Sequence, residues 1–236
     1  MCKRGVVKVI GLLGGMSWES SALYYQLVNQ EVLERLGGTH SAECVMWSFD
    51  FHRVEALQAA DDWSGAADLL GMTAQRLERA GAELLVLCTN TMHEVADEIG
   101  AAITIPLIHI ADATADAIRS SGVERVALLG TRYTMERDFY RGRLESRHGL
   151  NVVVPDEPDR SEIHRIIYDE LVRGIVADSS RQRYEGIIDS LVERGADGVI
   201  LGCTEIELLV DPADDRWLLF PTTKLHALAA VSAALS

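Results

Sequence analysis

Short, nearly continuous apolar runs alternate along the chain with longer stretches in which apolar residues recur every third or fourth position. The runs at residues 6–14, 44–49, 84–88, 104–110, 123–130, 152–154, 198–201 and 218–220 predict strands. Continuous rather than alternating hydrophobicity marks strands covered on both faces, as in parallel sheet. The stretches between them predict helices. The first is capped by Ser17 or Ser20 and runs through Tyr24, Leu27, Val28 and Val32 to a Gly37-Gly38 stop. The others fall at 54–60, 66–79, 90–99, 113–120, 132–148, 161–173, 179–194 and 223–235. Serine at a helix start accepts an orphan backbone N–H, and glycine ends a helix by taking positive φ. Strand and helix in alternation specify βαβ units, hence an α/β chain with parallel sheets.

The pattern runs twice. The segment RAGAELLVLCTNT at 79–91 aligns without a gap with ERGADGVILGCTE at 193–205, and VERVALLG at 123–130 repeats VIGLLG at 9–14. A period of about 115 residues implies two similar, pseudosymmetric lobes. Residues 1–106 with 216–236 are expected to form one lobe and 107–215 the other, the last helix returning to the first lobe because the second repeat has no place for it. Ligands of open α/β sheets bind beyond the carboxyl ends of the strands. The two lobes are therefore expected to face their strand ends into one interlobe active-site cleft. In the repeat Gly81 falls on Gly195, Cys88 on Gly202 and Thr89 on Cys203.

Composition narrows the partners. The 236 residues are 48% hydrophobic and 25% charged, as in ordinary globular chains. A net charge of -14 disfavours polyanions, so neither nucleic acid nor a membrane surface is an expected partner. No apolar stretch reaches the roughly 18 residues of a spanning helix. The N-terminus, basic and then briefly apolar without a cleavage site, reads as a first strand rather than a signal peptide. Cys2, Cys44, Cys88 and Cys203 show no CxxC spacing and point to a reducing, cytoplasmic setting.

Several chemistries drop out. The chain has neither GxGxxG nor GxxxxGK[ST]. Its lysines, Lys3, Lys8 and Lys224, lie off the loops after the two repeated strands, so a Schiff-base cofactor has no anchor there and no cofactor is expected. His93 and Glu94 have no neighbours to complete a metal set, and His93 reads as a helix-start histidine with a local hydrogen bond. The two strand ends remain. Backbone N–H groups at a helix start bind a carboxylate, with Asn90, Thr91 and Thr204 adding side-chain donors. A thiol at a helix N-terminus has a lowered pKa, which makes Cys203 a base for an α-proton. Inversion at an α-carbon needs proton-transfer groups on opposite faces, which two similar lobes supply. Cys88 reads as a core filler, because side chains alternate along a strand and the repeat opposes it to a glycine.

At these residues the sequence resembles the aspartate/glutamate racemases, in the branch that includes broad-specificity amino-acid racemases. The resemblance spans the chain, through VIGLLGGMSWES at 9–20, LCTNTMH at 87–93, LIHIADAT at 107–114, LLGTRYTM at 128–135 and GCTEI at 202–206. It implies a cofactor-independent isomerase of two Rossmann-like lobes, acting on a small-molecule amino acid and assembled as a homodimer. The family's first motif is usually Cys-Asn-Thr, whereas this chain has Thr89-Asn90-Thr91 with its cysteine one place early. The resemblance and the internal repeat thus agree on Thr89 and Cys203 as the catalytic pair, with one direction, L to D, favoured. Met16 and Gln58 resemble substrate-contacting positions. Arg53 reads as a solvated helix-start residue rather than a substrate ligand. Aspartate-selective members carry a lysine where this chain has Ser161, beside Arg160, which leaves room for substrates such as homoserine. Hydantoin racemases, maleate isomerases and arylmalonate decarboxylases share the fold but differ around the second thiol. A non-catalytic carboxylate-binding sensor is the alternative of a different class.

Overall fold

A computed structural model of the chain describes residues 7–236. Cys2, Lys3 and the first residue of the expected 6–14 strand lie outside the described residues. The chain divides into two compact units, one ending at His109 and resuming at His226, the other spanning Ile110–Leu225.

In the first unit the chain runs β1 (Ile10–Gly14), α1 (Trp18–Leu36), β2 (Cys44–Ser48), α2 (Phe51–Ala59), α3 (Trp63–Arg79), β3 (Leu84–Leu87), α4 (Ala96–Ala101) and β4 (Leu107–Ile108). The strands form one parallel sheet in the order β2-β1-β3-β4. Alternate side chains of β1 and β3 serve opposite faces. Leu13, Leu85 and Leu87 pack with Leu70, Ala74 and Leu77 of α3. Ile10, Leu12, Val86 and Cys88 pack against Tyr24, Val28 and Val32 of α1. Ser17 caps α1, accepting the backbone N–H of Ser20.

The second unit runs α5 (Ile110–Ser121), β5 (Arg125–Gly130), α6 (Arg132–Glu136), α7 (Arg141–His148), β6 (Asn151–Val153), α8 (Asp159–Asp169), α9 (Asp178–Glu193), β7 (Gly198–Gly202) and β8 (Leu219–Pro221). Its parallel sheet has the order β6-β5-β7-β8, the same connectivity as the first. Leu129, Val199 and Leu201 pack on Ile163, Ile166, Ile187, Ile188 and Leu191 of α8 and α9. Val126, Leu128 and Ile200 pack on Ile118 of α5 and Leu144 of α7. The closing helix α10 (Thr222–Ala234) carries Ala227, Ala230 and Val231 into the α1 face of the first unit. Among the described residues no helix is long and apolar enough to cross a membrane.

The structure departs from the sequence pattern in five places. The expected return to the first lobe at 216 comes later, because Leu219, Phe220 and Pro221 pair with β7 and the unit boundary falls after Leu225. Gly198 makes that pairing possible, since a Cβ there would lie 2.7 Å from the Phe220 ring. The first boundary likewise falls after His109 rather than at 106. The run at 104–110 yields only the two-residue β4, as Pro106 lacks a ladder N–H and α5 already begins at Ile110. The expected 132–148 helix splits into α6 and α7, because Tyr140 turns inward, fully buried, with its hydroxyl 3.2 Å from Thr114 Oγ1. The expected 90–99 helix begins as a 3-10 turn, Thr91–Val95, and becomes α-helical only in α4.

Candidate active site at two matched strand ends

Beyond β3 the chain bends at Cys88. Leu87 lies on the α3 face and Cys88 on the α1 face. Cys88 is fully buried, with its sulfur 3.8 Å from the Val86 carbonyl oxygen. Burial pushes its thiol up, so it holds its proton. Thr89 is half-buried. Its N–H donates to Leu87 O at 2.8 Å, and its own carbonyl lies 2.8 Å from His93 Nδ1. Asn90 and Thr91, which follow, are buried. Met16 and Met92 share the core cluster on the α3 face. Gln58 donates through Nε2 to Met92 Sδ at 2.9 Å, while its buried Oε1 has no hydrogen-bond partner. The structure thus gathers Met16, Gln58, Thr89, Asn90 and Thr91 within one unit. Arg53 is exposed in the first turn of α2.

The end of β7 repeats this plan. Leu201 packs toward α8 and α9, Gly202 has no side chain, and Cys203 packs on the Leu201 side. The half-buried thiol donates to Glu205 Oε2 at 3.0 Å. Here the lowered thiol pKa expected from a helix N-terminus is overturned. Burial raises the Cys203 pKa well above the ordinary thiol range, and the Glu205 carboxylate adds to it by repulsion and by holding the S–H. The segment after Cys203 is only the five-residue 3-10 turn Thr204–Leu208, with Glu205 in its first turn. A full negative charge at hydrogen-bond distance outweighs the partial charge of so short a turn.

Polar groups from the start of α10 complete this end. Thr204 Oγ1 lies 2.9 Å from Thr223 Oγ1, and Thr222 Oγ1 donates to Leu201 O at 2.9 Å. Burial raises the Glu207 carboxyl to about 7, opposed by the Lys224 charge and assisted by Glu205. Glu207 Oε1 is buried without a hydrogen-bond partner. Ser161 accepts from Arg132 Nη2 at 2.9 Å, and Arg160 is paired with Glu136 at 3.1 Å. Among the described residues no group of three or more His, Cys, Asp or Glu is arranged to hold a metal ion.

Sequence reasoning gave Glu205 no role and passed over Thr223, His109 and His226. The WLLFPTT segment at 217–223 did carry a signal, a third apolar run ending in hydroxyls. His226 also stood out as the one histidine within an Ala- and Leu-rich helix.

Comparison with known proteins bears on this arrangement. The sequence model of one family, Asp/Glu/Hydantoin racemase, matches residues 13–233. A crystal structure from Yersinia pestis, assigned to the Asp/Glu racemases, superposes with a TM-score of 0.92 at 53% identity, covering 97% of this chain and 100% of that one. An aspartate racemase homologue from Pyrococcus horikoshii OT3 superposes with a TM-score of 0.82 at 35% identity, with the same coverage of 97% and 100%. The broad specificity amino-acid racemase RacX of Bacillus subtilis (strain 168) is 24% identical over 166 residues, 69% of this chain and 70% of its own length. Two parallel sheets of one connectivity, a threonine and a cysteine at matched strand ends, and a family match across nearly the whole chain lead to one conclusion: this protein belongs to the Asp/Glu/hydantoin racemase family and is a racemase.

Proposed function

We propose that the protein interconverts the L and D forms of an amino acid by removing and returning the α-proton, without a cofactor, and that Cys203 and Thr89 serve opposite faces of the α-carbon. The observation that carries this reading is the Cys203 thiol held on the Glu205 carboxylate at 3.0 Å. A protonated thiol is a poor base, and a carboxylate in contact supplies the acceptor it needs. The Cys203 proton passes to Glu205, and the thiolate takes the α-proton and becomes a thiol again. The Thr89 hydroxyl, replenished from water, returns a proton to the other face. Glu205 gives its proton to solvent, so one α-hydrogen is exchanged per inversion. A threonine is a far weaker base than a thiolate, so the direction begun by Cys203, L to D, dominates.

Asn90, Thr91 and Thr204 hold the substrate carboxylate, and Gln58 and Met16 bound its side chain. The unmatched Gln58 Oε1 supports this, because a buried amide oxygen lacking a partner is costly until a ligand supplies one. Aspartate and glutamate fit the family, the RacX likeness supports a broader set, and Ser161 in place of a lysine leaves room for homoserine. Exposed Trp18, Tyr25 and Met46 around the edge strand β2 favour assembly as a homodimer. The raised Cys203 pKa favours a second reading, a carboxylate sensor that binds without turnover.

Each enantiomer of a panel of amino acids, incubated in D2O and followed by NMR, separates the two. The wild type is expected to incorporate α-deuterium, faster from the L form. Cys203→Ala should abolish incorporation and Cys88→Ala should leave it nearly unchanged. Binding without any exchange establishes the sensor, and an inactive Cys88→Ala with an active Cys203→Ala moves the site by one residue.

A further inference from the structure

Tyr24, His93, His109 and His226 come from four separate places in the first unit, namely α1, the 3-10 turn after β3, the segment after β4, and α10. The three histidines are buried and packed edge to face. His93 lies 4.6 Å from His109 and 5.6 Å from His226, centre to centre. The hydrogen bonds fix the protons of His93 and His226. His226 Nε2 is 2.7 Å from Ile108 O, and a carbonyl can only accept, so Nε2 carries the hydrogen. His226 Nδ1 therefore accepts, and the Tyr24 hydroxyl donates to it at 2.8 Å. By the same rule His93 donates from Nδ1 to the Thr89 carbonyl at 2.8 Å. That carbonyl would otherwise be available to an α-helical N–H four residues on, but the N–H of His93 goes to Asn90 O instead.

Three ionisable rings in a dry core are expensive where leucine would pack as well. Their burial holds His93 well below the ordinary histidine range, assisted by His109 and His226, and holds His226 at about 4. His93 and His226 are neutral at physiological pH, which leaves each one donor and one acceptor in a fixed tautomer. The groups facing His93 are His109, His226 and the Thr89 and Asn90 backbone, with Tyr24 behind His226.

We propose that His93 is the positioning residue of the first proton-transfer site: its Nδ1–H holds the Thr89 carbonyl, His109 and His226 wedge the ring, and the Thr89 hydroxyl is thereby presented at one point beyond β3. This rests on Thr89 being the proton-returning group. The cluster acts on inversion alone. Deprotonation by Cys203 does not depend on it, so an enzyme lacking the anchor still exchanges the α-proton but returns deuterium to the face it left.

The test is the ratio of inversion to exchange with retention, measured by NMR and chiral chromatography on L-aspartate and L-homoserine in D2O. His93→Leu removes the donor, and His93→Asn keeps an N–H near the Nδ1 position. A displacement of about 1 Å at a reacting group costs roughly 100-fold. His93→Leu should therefore lower inversion by about 10- to 100-fold while exchange with retention persists, and His93→Asn should recover most of the loss. Equal loss of both processes, or an unmoved ratio, overturns the inference and leaves the racemase reading standing. No exchange by the wild type overturns both. If His93→Leu does not fold, the imidazole nitrogen spectrum of the wild type decides. A neutral Nδ1–H tautomer at His93 through neutral pH is expected, and an Nε2–H or cationic ring overturns the proposal.

Discussion

At the scale of single residues, the state of the Cys203 thiol is set by burial and by its neighbour two places on. Both raise the thiol pKa, and the Glu205 carboxylate also holds the S–H at 3.0 Å. Glu205→Gln separates these effects. Removing a general base typically costs about 100- to 10,000-fold, and we expect a loss in that range for α-deuterium incorporation at neutral pH. Burial still holds the thiol above the ordinary range, but with the repulsion gone it ionises more easily, so the variant's rate should climb as pH rises. Initial rates across pH check this, and an unchanged rate at neutral pH removes Glu205 from the reaction. The same local view explains Cys88, a thiol one place from Thr89 that faces the α1 side of the core and stays protonated.

At the scale of elements, what aims Cys203 is the close approach of β5 and β7. Gly130 pairs with Gly202, and a Cβ on Gly202 would lie 2.7 Å from Leu129 O and 3.3 Å from Thr134 Cγ2. The first atom is backbone in a paired strand and cannot give way. Gly202→Ala should cost about 1–3 kcal/mol of stability by overpacking, and should lower activity further by shifting the neighbouring thiol. Denaturant midpoints and exchange rates measure the two losses separately. Wild-type stability and activity in this variant would mean the strands part freely here. At the matched position of the first unit, Cys88 carries a side chain, which packs in the cluster with Tyr24 and Val28 of α1.

For the whole molecule, one histidine of the last helix joins distant parts of the first unit. His226 bonds both Tyr24 and Ile108, which lie 202 and 118 residues away. Acid should loosen this tie. The folded pKa of His226, about 4, is depressed below the unfolded value of about 6.5, so the unfolded chain binds more protons in the window between them. Stability is then complete above about pH 6.5 and declines as pH falls toward 4, by about 2 kcal/mol at pH 5 from this residue alone. His93 adds to the loss in the same direction. Melting temperatures at pH 7.5 and 5 should differ, and His226→Asn should show a smaller difference. A melting temperature flat over this range would show that the cluster is not neutral in the fold.

The sequence by itself determined the strand–helix alternation, the duplication, and the matched ends where Thr89 stands opposite Cys203 in the repeat. All of these are periodic or local, and parallel strands covered on both faces write themselves as continuous apolar runs. The tertiary structure decided what depends on which groups meet. The Cys203 pKa moved opposite to the expected direction because burial disfavours the thiolate and the Glu205 side chain folds back onto the sulfur. The 132–148 stretch broke because Tyr140 is drawn to Thr114 on another helix, and β8 stayed with the second sheet because Phe220 fits over Gly198. His93, His109 and His226 carry no shared spacing along the chain. Only through-space packing brings them to one place beneath Thr89, since burial, hydrogen bonding and charge act over a few ångströms whatever the separation in sequence.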